Sequence, residues 1–515
     1  MTRKNHLKKT IQTTVSLLLV AALSLTGCSS YDYHAFLNEL AGTQNASQSA
    51  SQDPSAPSAS AQLDALFGAA SDHPGDIQSP EDLSLRDPLA PQPEGGAETV
   101  TVLVYMNGSD LETEAGEASS DLFEMIDAGD SENVRILVQT MGTKYWTRRS
   151  GIASDRSQIH EVTGDGLVPV KDDLGQLDCT LQSTLTDFLK WGVSAYPADR
   201  YILLLWDHGG GPVYGFGYDE FQSYYDALTL DEIQGALESA GTVFDFIGMD
   251  CCIMSCLEVT AALYDYCDYC ILSEDFESGL GWYYTDWVRA LYEDPSVSTP
   301  DLAKILIDGM VDANEKDPTQ GDRAILTLID QRYMRRLYLA WLEFAYANEK
   351  TLLSANYSQY SEGTGRALPR LFPQSSSHAL TQGVSQANSL GADEYTSALA
   401  EYYITDLRAL AENIPSPQSD TLLEVLDQTI CYSAATEDMT GLTGLSVTLP
   451  YGDPDFYRDL RSVFLRCGFD EAYVEWLEQF TTAAGADHFF NYEKWWEENG
   501  DRILSQLRHY LFDLY

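Results

Sequence analysis

His208 and the paired cysteines Cys251 and Cys252 are the residues of this chain best suited to covalent chemistry, because each closes a short apolar run. Tyr201-Ile-Leu-Leu-Leu-Trp206 leads into Asp207-His208-Gly209-Gly210-Gly211, and Phe244-Asp-Phe-Ile-Gly-Met249 leads into Asp250-Cys251-Cys252-Ile253-Met254. A thiol is mostly protonated near neutral pH and only its thiolate attacks a carbonyl carbon efficiently, so an imidazole beside it supplies the activation. Glycines after the histidine allow a sharp turn and leave amide N–H groups uncovered, as the oxyanion of a tetrahedral intermediate requires. Gly209 N–H and the nucleophile's own N–H are the candidate donors.

That chemistry requires residues distant in sequence to meet. Short apolar runs with turn residues behind them suit strands buried on both faces of a parallel sheet. Between the two runs, Thr229-Leu-Asp-Glu-Ile-Gln-Gly-Ala-Leu-Glu238 repeats apolar residues at helical spacing, with Thr229 as the N-cap. The unit reads strand, helix, strand, and the carboxyl ends of neighbouring parallel strands lie side by side at one rim. Strand geometry puts Asp250 and Cys252 on one side and Cys251 on the other. Cys251 and Cys256 read as small buried hydrophobes.

A strand ending in Trp206-Asp-His-Gly-Gly-Gly211, then Met249-Asp-Cys-Cys-Ile-Met-Ser-Cys-Leu-Glu-Val259, resembles the clostripain family of cysteine peptidases within the caspase-like superfamily. There the second motif reads roughly Asp-Ala-Cys-Leu-Met followed by Glu-Val. Asp250, Cys252, Met254, Glu258 and Val259 fall on matching positions, and Cys251 takes the small-residue place. The resemblance implies Cys252 as nucleophile and His208 as base, with Gly209 and Cys252 N–H as oxyanion hole. It implies Asp250 as the carboxylate facing a pocket for a basic P1 side chain, hence hydrolysis of peptides and proteins after Arg or Lys. Ser273-Glu274, followed by Gly281-Trp-Tyr-Tyr284, is similar to the family's pocket wall. Glu274, Asp275 or Glu277 could add a second carboxylate there; Glu274 is carried forward as the candidate.

The implied fold is α/β and caspase-like: a mostly parallel sheet with helices on both faces, plus a mainly helical C-terminal region. Val100–Met106 and Asn133–Gln139 read as strands and Ala115–Ala128 as a helix between them. The core is expected over 99–295 and the helical region over 296–515, interrupted by a Ser/Gln/Gly-rich stretch at 356–388. Gly444-Leu-Ser-Val-Thr-Leu-Pro450 reads as an isolated strand.

Arg3, Lys4, Lys8 and Lys9 precede an apolar run from Val15 to Leu25, shorter than the ~20 residues a spanning helix needs, so 1–28 reads as a secretory signal. Its end, Leu25-Thr-Gly-Cys28, resembles a bacterial lipobox, which implies lipidation of Cys28 and anchoring on the extracytoplasmic face of the cell membrane. Residues 29–98, rich in Ser, Ala and Pro, read as a disordered tether. Leu63, Leu66 and Phe67 within it mark a short helix or docking segment.

The formal charge of −49 repels nucleic acid and anionic surfaces and favours cationic ligands. Cys267-Asp-Tyr-Cys270 has metal or redox spacing without a partner motif and reads as structural. No cofactor is required. Calcium stimulates some relatives and is retained as a candidate activator, without EF-hand spacing behind it. Some relatives cut themselves between the His and Cys strands, but no Lys or Arg lies between Gly209 and Cys251, so no such self-processing is expected. The competing reading is a surface lipoprotein that binds peptides on the same fold without catalysis; intact His208, Gly209 and Cys252 weigh against it.

Overall fold

The computed structural model describes residues 66–67, 79–93, 98–222, 226–317, 324–354, 403–439, 442–450 and 453–482. Cys28 with its signal, Leu63, and the 356–388 stretch lie outside the described residues.

The apolar runs form strands. In chain order these are β1 (Val100–Asn107), β2 (Val134–Met141), β3 (Gln158–Thr163), β4 (Gly166–Lys171), β5 (Arg200–Trp206), β6 (Phe244–Asp250), β7 (Cys267–Leu272), β8 (Ile325–Asp330), β9 (Ile404–Asp406), β10 (Ile430–Ala435) and β11 (Ser446–Thr448). Nine of them make one sheet in the order β10-β8-β7-β6-β5-β1-β2-β3-β4. The five central strands, β7-β6-β5-β1-β2, are parallel. Antiparallel strands flank them on both sides, and only β3 and β8 run against the rest. β1 and β6 are buried along their whole length, as strands covered on both faces must be.

Side chains alternate between two cores. Leu103, Tyr105, Leu203 and Leu205 enter one, while Val102, Val104, Ile202 and Leu204 enter the other. The helices that matter here are α1 (Ser109–Ala115), α2 (Glu117–Asp127), α3 (Gln182–Ala195), α4 (Leu230–Ala240), α5 (Leu257–Ala262), α6 (Tyr284–Glu293), α7 (Thr299–Lys316), α8 (Met334–Ala347), α9 (Pro417–Thr429), α10 (Pro454–Arg466) and α11 (Glu471–Thr481). The first core is closed by α3, α4, α5 and the helices α8 to α11. The second is closed by α2, α6 and α7. The expected crossover helix is α4, started by a capping box in which Thr229 and Glu232 satisfy each other's end of the first turn.

Two expectations are corrected. The region after 295 is mainly helical but not separate from the core: Ile325–Asp330 and Ile430–Ala435 extend the same sheet beyond β7. An all-apolar run such as Ala324-Ile-Leu, coming between helical stretches, carries no period that distinguishes a strand from a buried helix. The run at 446–448 is not isolated, since it pairs antiparallel with β9.

The tether reading fails for 79–93, while Phe67 packs onto the core as its docking-segment reading expects. Arg86 pairs with the buried Asp268 carboxylate at 2.9 Å, and the amides of Leu89 and Ala90 donate to the same carboxylate at 2.7 and 3.0 Å. Arg336 Nε donates to Leu83 O at 2.8 Å, and the Phe67 ring packs edge-on against Tyr264 at 4.8 Å. Asp268 stands at the amino end of β7, so this strap crosses the edge of the sheet opposite the carboxyl rim.

Candidate active site

Trp206 on β5 is the register partner of Asp250 on β6, so His208 and Cys252, each two positions further on, leave the sheet side by side at the carboxyl rim. The two loops touch. A Cβ on Gly209 would collide with the carbonyl oxygen of Cys252 and lie 3.0 Å from Cys251 Sγ. The glycine-rich loop folds back through Gly210 N to Gly215 O at 2.8 Å and Gly217 N to His208 O at 2.9 Å. Those bonds straddle Gly209, whose own N–H makes no hydrogen bond among the described residues. His208, Gly209 and Cys252 are all half-buried, open to solvent on one side.

The turn that carries Cys252 is held tightly. Ile253 has φ of 52°, in the left-handed region that β-branched residues avoid, and its N–H donates to Asp275 O at 3.0 Å. The Glu277 amide donates to Cys252 Sγ at 3.3 Å. Cys251 instead is buried in the first core, with burial pushing its thiol pKa well up. The strand alternation expected from the sequence therefore separates the two cysteines as anticipated.

The His208 ring bonds through Nε2 to Asp110 Oδ1 at 2.8 Å, and Asp207 Oδ1 lies 4.0 Å from the same nitrogen. Burial works against a charged ring, but the Asp110 bond and the carboxylates of Asp207 and Glu117 outweigh it, and the imidazole is pushed up to about 9. Asp207 is itself pushed up to about 7 by burial, against the pull of His208.

Beneath the rim lies a set of acids. Asp250 is buried and accepts from Tyr284 OH at 2.7 Å. Burial pushes it up to about 6, with bonds from Tyr284 and Glu277 pulling the other way. Glu277 is raised well above the carboxylate range by burial and by the adjacent Asp250. Asp121 accepts from Trp206 Nε1 at 2.7 Å and is likewise raised by burial and Asp250. Glu124 accepts from Tyr284 N at 2.8 Å and is pushed up to about 7, and Glu117 to about 8, both chiefly by burial. Gly281 lies directly against this set: a Cβ there would stand 3.2 Å from Asp250 Oδ1 and 3.8 Å from Asp121 Oδ2. None of the five acids makes an ion pair with Lys or Arg among the described residues.

Glu274 is not brought into this set. Its carboxyl accepts from Gly444 N at 2.6 Å and Ser446 Oγ at 2.7 Å, fastening the segment before β11 to the core. Asp275 accepts from Phe276 N and serves the turn with its backbone. The acid of this loop that reaches Asp250 is Glu277. Asp110, Glu117, Asp121 and Glu124 arrive from the helices after β1, and the sequence offers only the acidic character of that stretch as a signal. Among the described residues no group of His, Cys, Asp and Glu is arranged to hold a metal ion. The thiols of Cys267 and Cys270 are 3.6 Å apart and buried, with Gln331 Nε2 donating to Cys270, a structural packing.

A family model described as the clostripain family matches residues 104–504. A secreted C11 cysteine protease from Bacteroides thetaiotaomicron, solved with an irreversible peptide inhibitor, is 17% identical with a TM-score of 0.48, over 72% of this chain and 100% of that one. An inactive zymogen C11 protease from Parabacteroides distasonis is 17% identical with a TM-score of 0.47, over 78% of this chain and 99% of that one. Among curated proteins no match is found. The match over most of its length shows that the chain belongs to the clostripain family of cysteine peptidases.

Proposed function

We propose that this chain is an endopeptidase that cuts after Arg or Lys with Cys252 as nucleophile and His208 as its proton partner. The thiol proton passes to His208, and the sulfur attacks the scissile carbonyl carbon. The oxyanion that forms accepts from Gly209 N–H and Cys252 N–H. The C–N bond then breaks, and His208 returns the proton to the leaving amine. Water attacks the thioester, giving one proton to His208 and its hydroxyl to the carbonyl, and the thiol is restored with the acid product. A ring held protonated by Asp110 and Asp207 favours a resting state in which the thiol proton has already been transferred.

The observation that carries the basic P1 preference is the buried set Asp121, Asp250 and Glu277, with half-buried Glu117 and Glu124 beside it, none with a Lys or Arg partner among the described residues. Buried carboxylates without a cation are costly, and a substrate guanidinium or ammonium relieves that cost. Arg gains most, through paired hydrogen bonds to a carboxylate. Asp250 on the nucleophile's strand is the principal P1 ligand, with Glu277 behind it.

The lipobox-like end at Cys28 supports a lipid-anchored enzyme on the extracytoplasmic face of the membrane. No helix of the described residues is long and apolar enough to cross a membrane. Cleavage of peptides that differ only at P1 tests the activity, and incorporation of labelled fatty acid, lost in Cys28→Ala, tests the anchor.

A further inference from the structure

We propose that Asp110 is a positioning residue for the reaction: it holds His208 by Nε2 and so assigns Nδ1 as the nitrogen that exchanges the proton with Cys252. This rests on the reading of His208 and Cys252 as the working pair.

An imidazole has two nitrogens, and the bond made by one fixes what the other can do. Here Asp110 Oδ1 is 2.8 Å from Nε2 and is the ring's hydrogen-bond partner among the described residues. A carboxylate only accepts, so Nε2 carries a hydrogen in both charge states of the ring. The mobile proton is then the one on Nδ1, which is bare when the ring is neutral and protonated when it is charged.

The placement of Asp110 is built. Ser109, directly before it, has φ of 45°, outside the comfortable range for a side-chain-bearing residue, and is buried. That kink starts α1 immediately after β1, the strand adjacent to β5, so Asp110 projects from one parallel strand's end toward the histidine on the next. Asp110 is held below the usual carboxylate range: burial opposes this, but the His208 hydrogen bond and charge prevail. Asp207 Oδ1, buried and without a hydrogen bond, lies 4.0 Å from Nε2 and adds charge without a second hydrogen bond. The charged groups facing the ring are thus Asp110 from α1, Glu117 from α2 and Asp207 from the end of β5.

Cys252 alkylation by iodoacetate, followed against pH on the full chain and read by mass spectrometry, tests this without a substrate, with exposed Cys431 as internal reference. In the parent protein Cys252 should react at pH values where Cys431 does not, because the imidazolium stabilises its thiolate. Asp110→Asn, nearly isosteric, should lower that acid-side reactivity about tenfold and move its loss at alkaline pH downward, leaving the reactivity of Cys431 unchanged. Asp110→Glu, which keeps the charge, should restore part of the effect. If His208→Ala removes the reactivity but Asp110→Asn and Asp110→Glu leave it as in the parent, the role of Asp110 is overturned while the pair stands. If His208→Ala changes nothing, the pair itself is wrong and the proposal falls with it.

Discussion

Gly209 lies against the carbonyl of Cys252 with no room for a β-carbon between them. That contact joins the loop after β5 to the loop after β6, and it keeps Gly209 against the backbone of Cys252. Gly209→Ala should force the loops apart by about an ångström or more, because its β-carbon would overlap the Cys252 carbonyl oxygen. The expected result is a fall in kcat of about 10²-fold, comparable to loss of an oxyanion donor, with KM changed little and the melting temperature within a few degrees of the parent. Steady-state kinetics on a basic P1 peptide check it; unchanged kcat would mean that this contact does not organise the site.

The acids beneath the rim make stability depend on pH in a defined direction. Asp250, Glu124 and Glu117 are pushed up to about 6, 7 and 8, and the His208 ring to about 9. Every one of these values lies above the group's ordinary value, so the folded chain holds more protons than the unfolded chain between pH 5 and 9. Their contribution is full below the ordinary values and is lost as pH rises through the raised ones. The melting temperature should therefore decline from about pH 5 to pH 9. Agmatine, a guanidinium compound, should raise the melting temperature more at pH 8 than at pH 5, where the carboxyls hold protons. A curve that rises across this range would contradict the assignment.

How much of this was legible in the residues depends on what kind of interaction each one makes. His208 and Cys252 stood out because each ends an apolar run at a turn, and burial on both faces of a parallel sheet writes itself into consecutive apolar residues. The side taken by Cys251 followed from strand alternation. The acids were not legible in that way. In a chain with 79 Asp and Glu, nothing local distinguishes Glu277, turned inward beside Asp250, from Glu274, which fastens Gly444 and Ser446 across the core. That loop is irregular, so no period states which side chain points where. The strands β8 and β10 were hidden for another reason: their partners are set by tertiary packing at the sheet edge, not by their own pattern.

The strap at 79–93 carries a practical consequence. Asp268 is almost fully buried and receives Arg86 and the amides of Leu89 and Ala90. A chain beginning at residue 98 loses these three partners and the Gln92 side-chain amide, which donates at 3.4 Å, and leaves the carboxylate uncompensated. It should be less stable than one beginning near residue 60 by about 3–5 kcal/mol, read from denaturant midpoints. Arg86→Met in the longer chain should reproduce a large part of that loss. Equal midpoints for the two lengths would show that the strap contributes nothing.

Specificity should follow Asp250 more than any other acid. Asp250→Asn removes the charge yet can keep the Tyr284 hydrogen bond. Cleavage after Arg should lose about 10²-fold or more in kcat/KM, mostly through KM, while Glu274→Gln should leave the preference unaltered. An Asp250→Asn enzyme that still prefers Arg would move the P1 carboxylate elsewhere in the set.

The central claim is that Cys252, and not its neighbour, attacks peptide bonds after basic residues. It is tested most directly by a fluorogenic peptide panel varied only at P1, run with the parent chain from residue 60 onward, Cys252→Ala and Cys251→Ala. Arg and Lys peptides should be cut by the parent and by Cys251→Ala, and by Cys252→Ala not at all. Absence of cleavage by the parent at every P1, with or without calcium and after limited treatment with another protease, would contradict the account and favour a peptide-binding protein on the same fold.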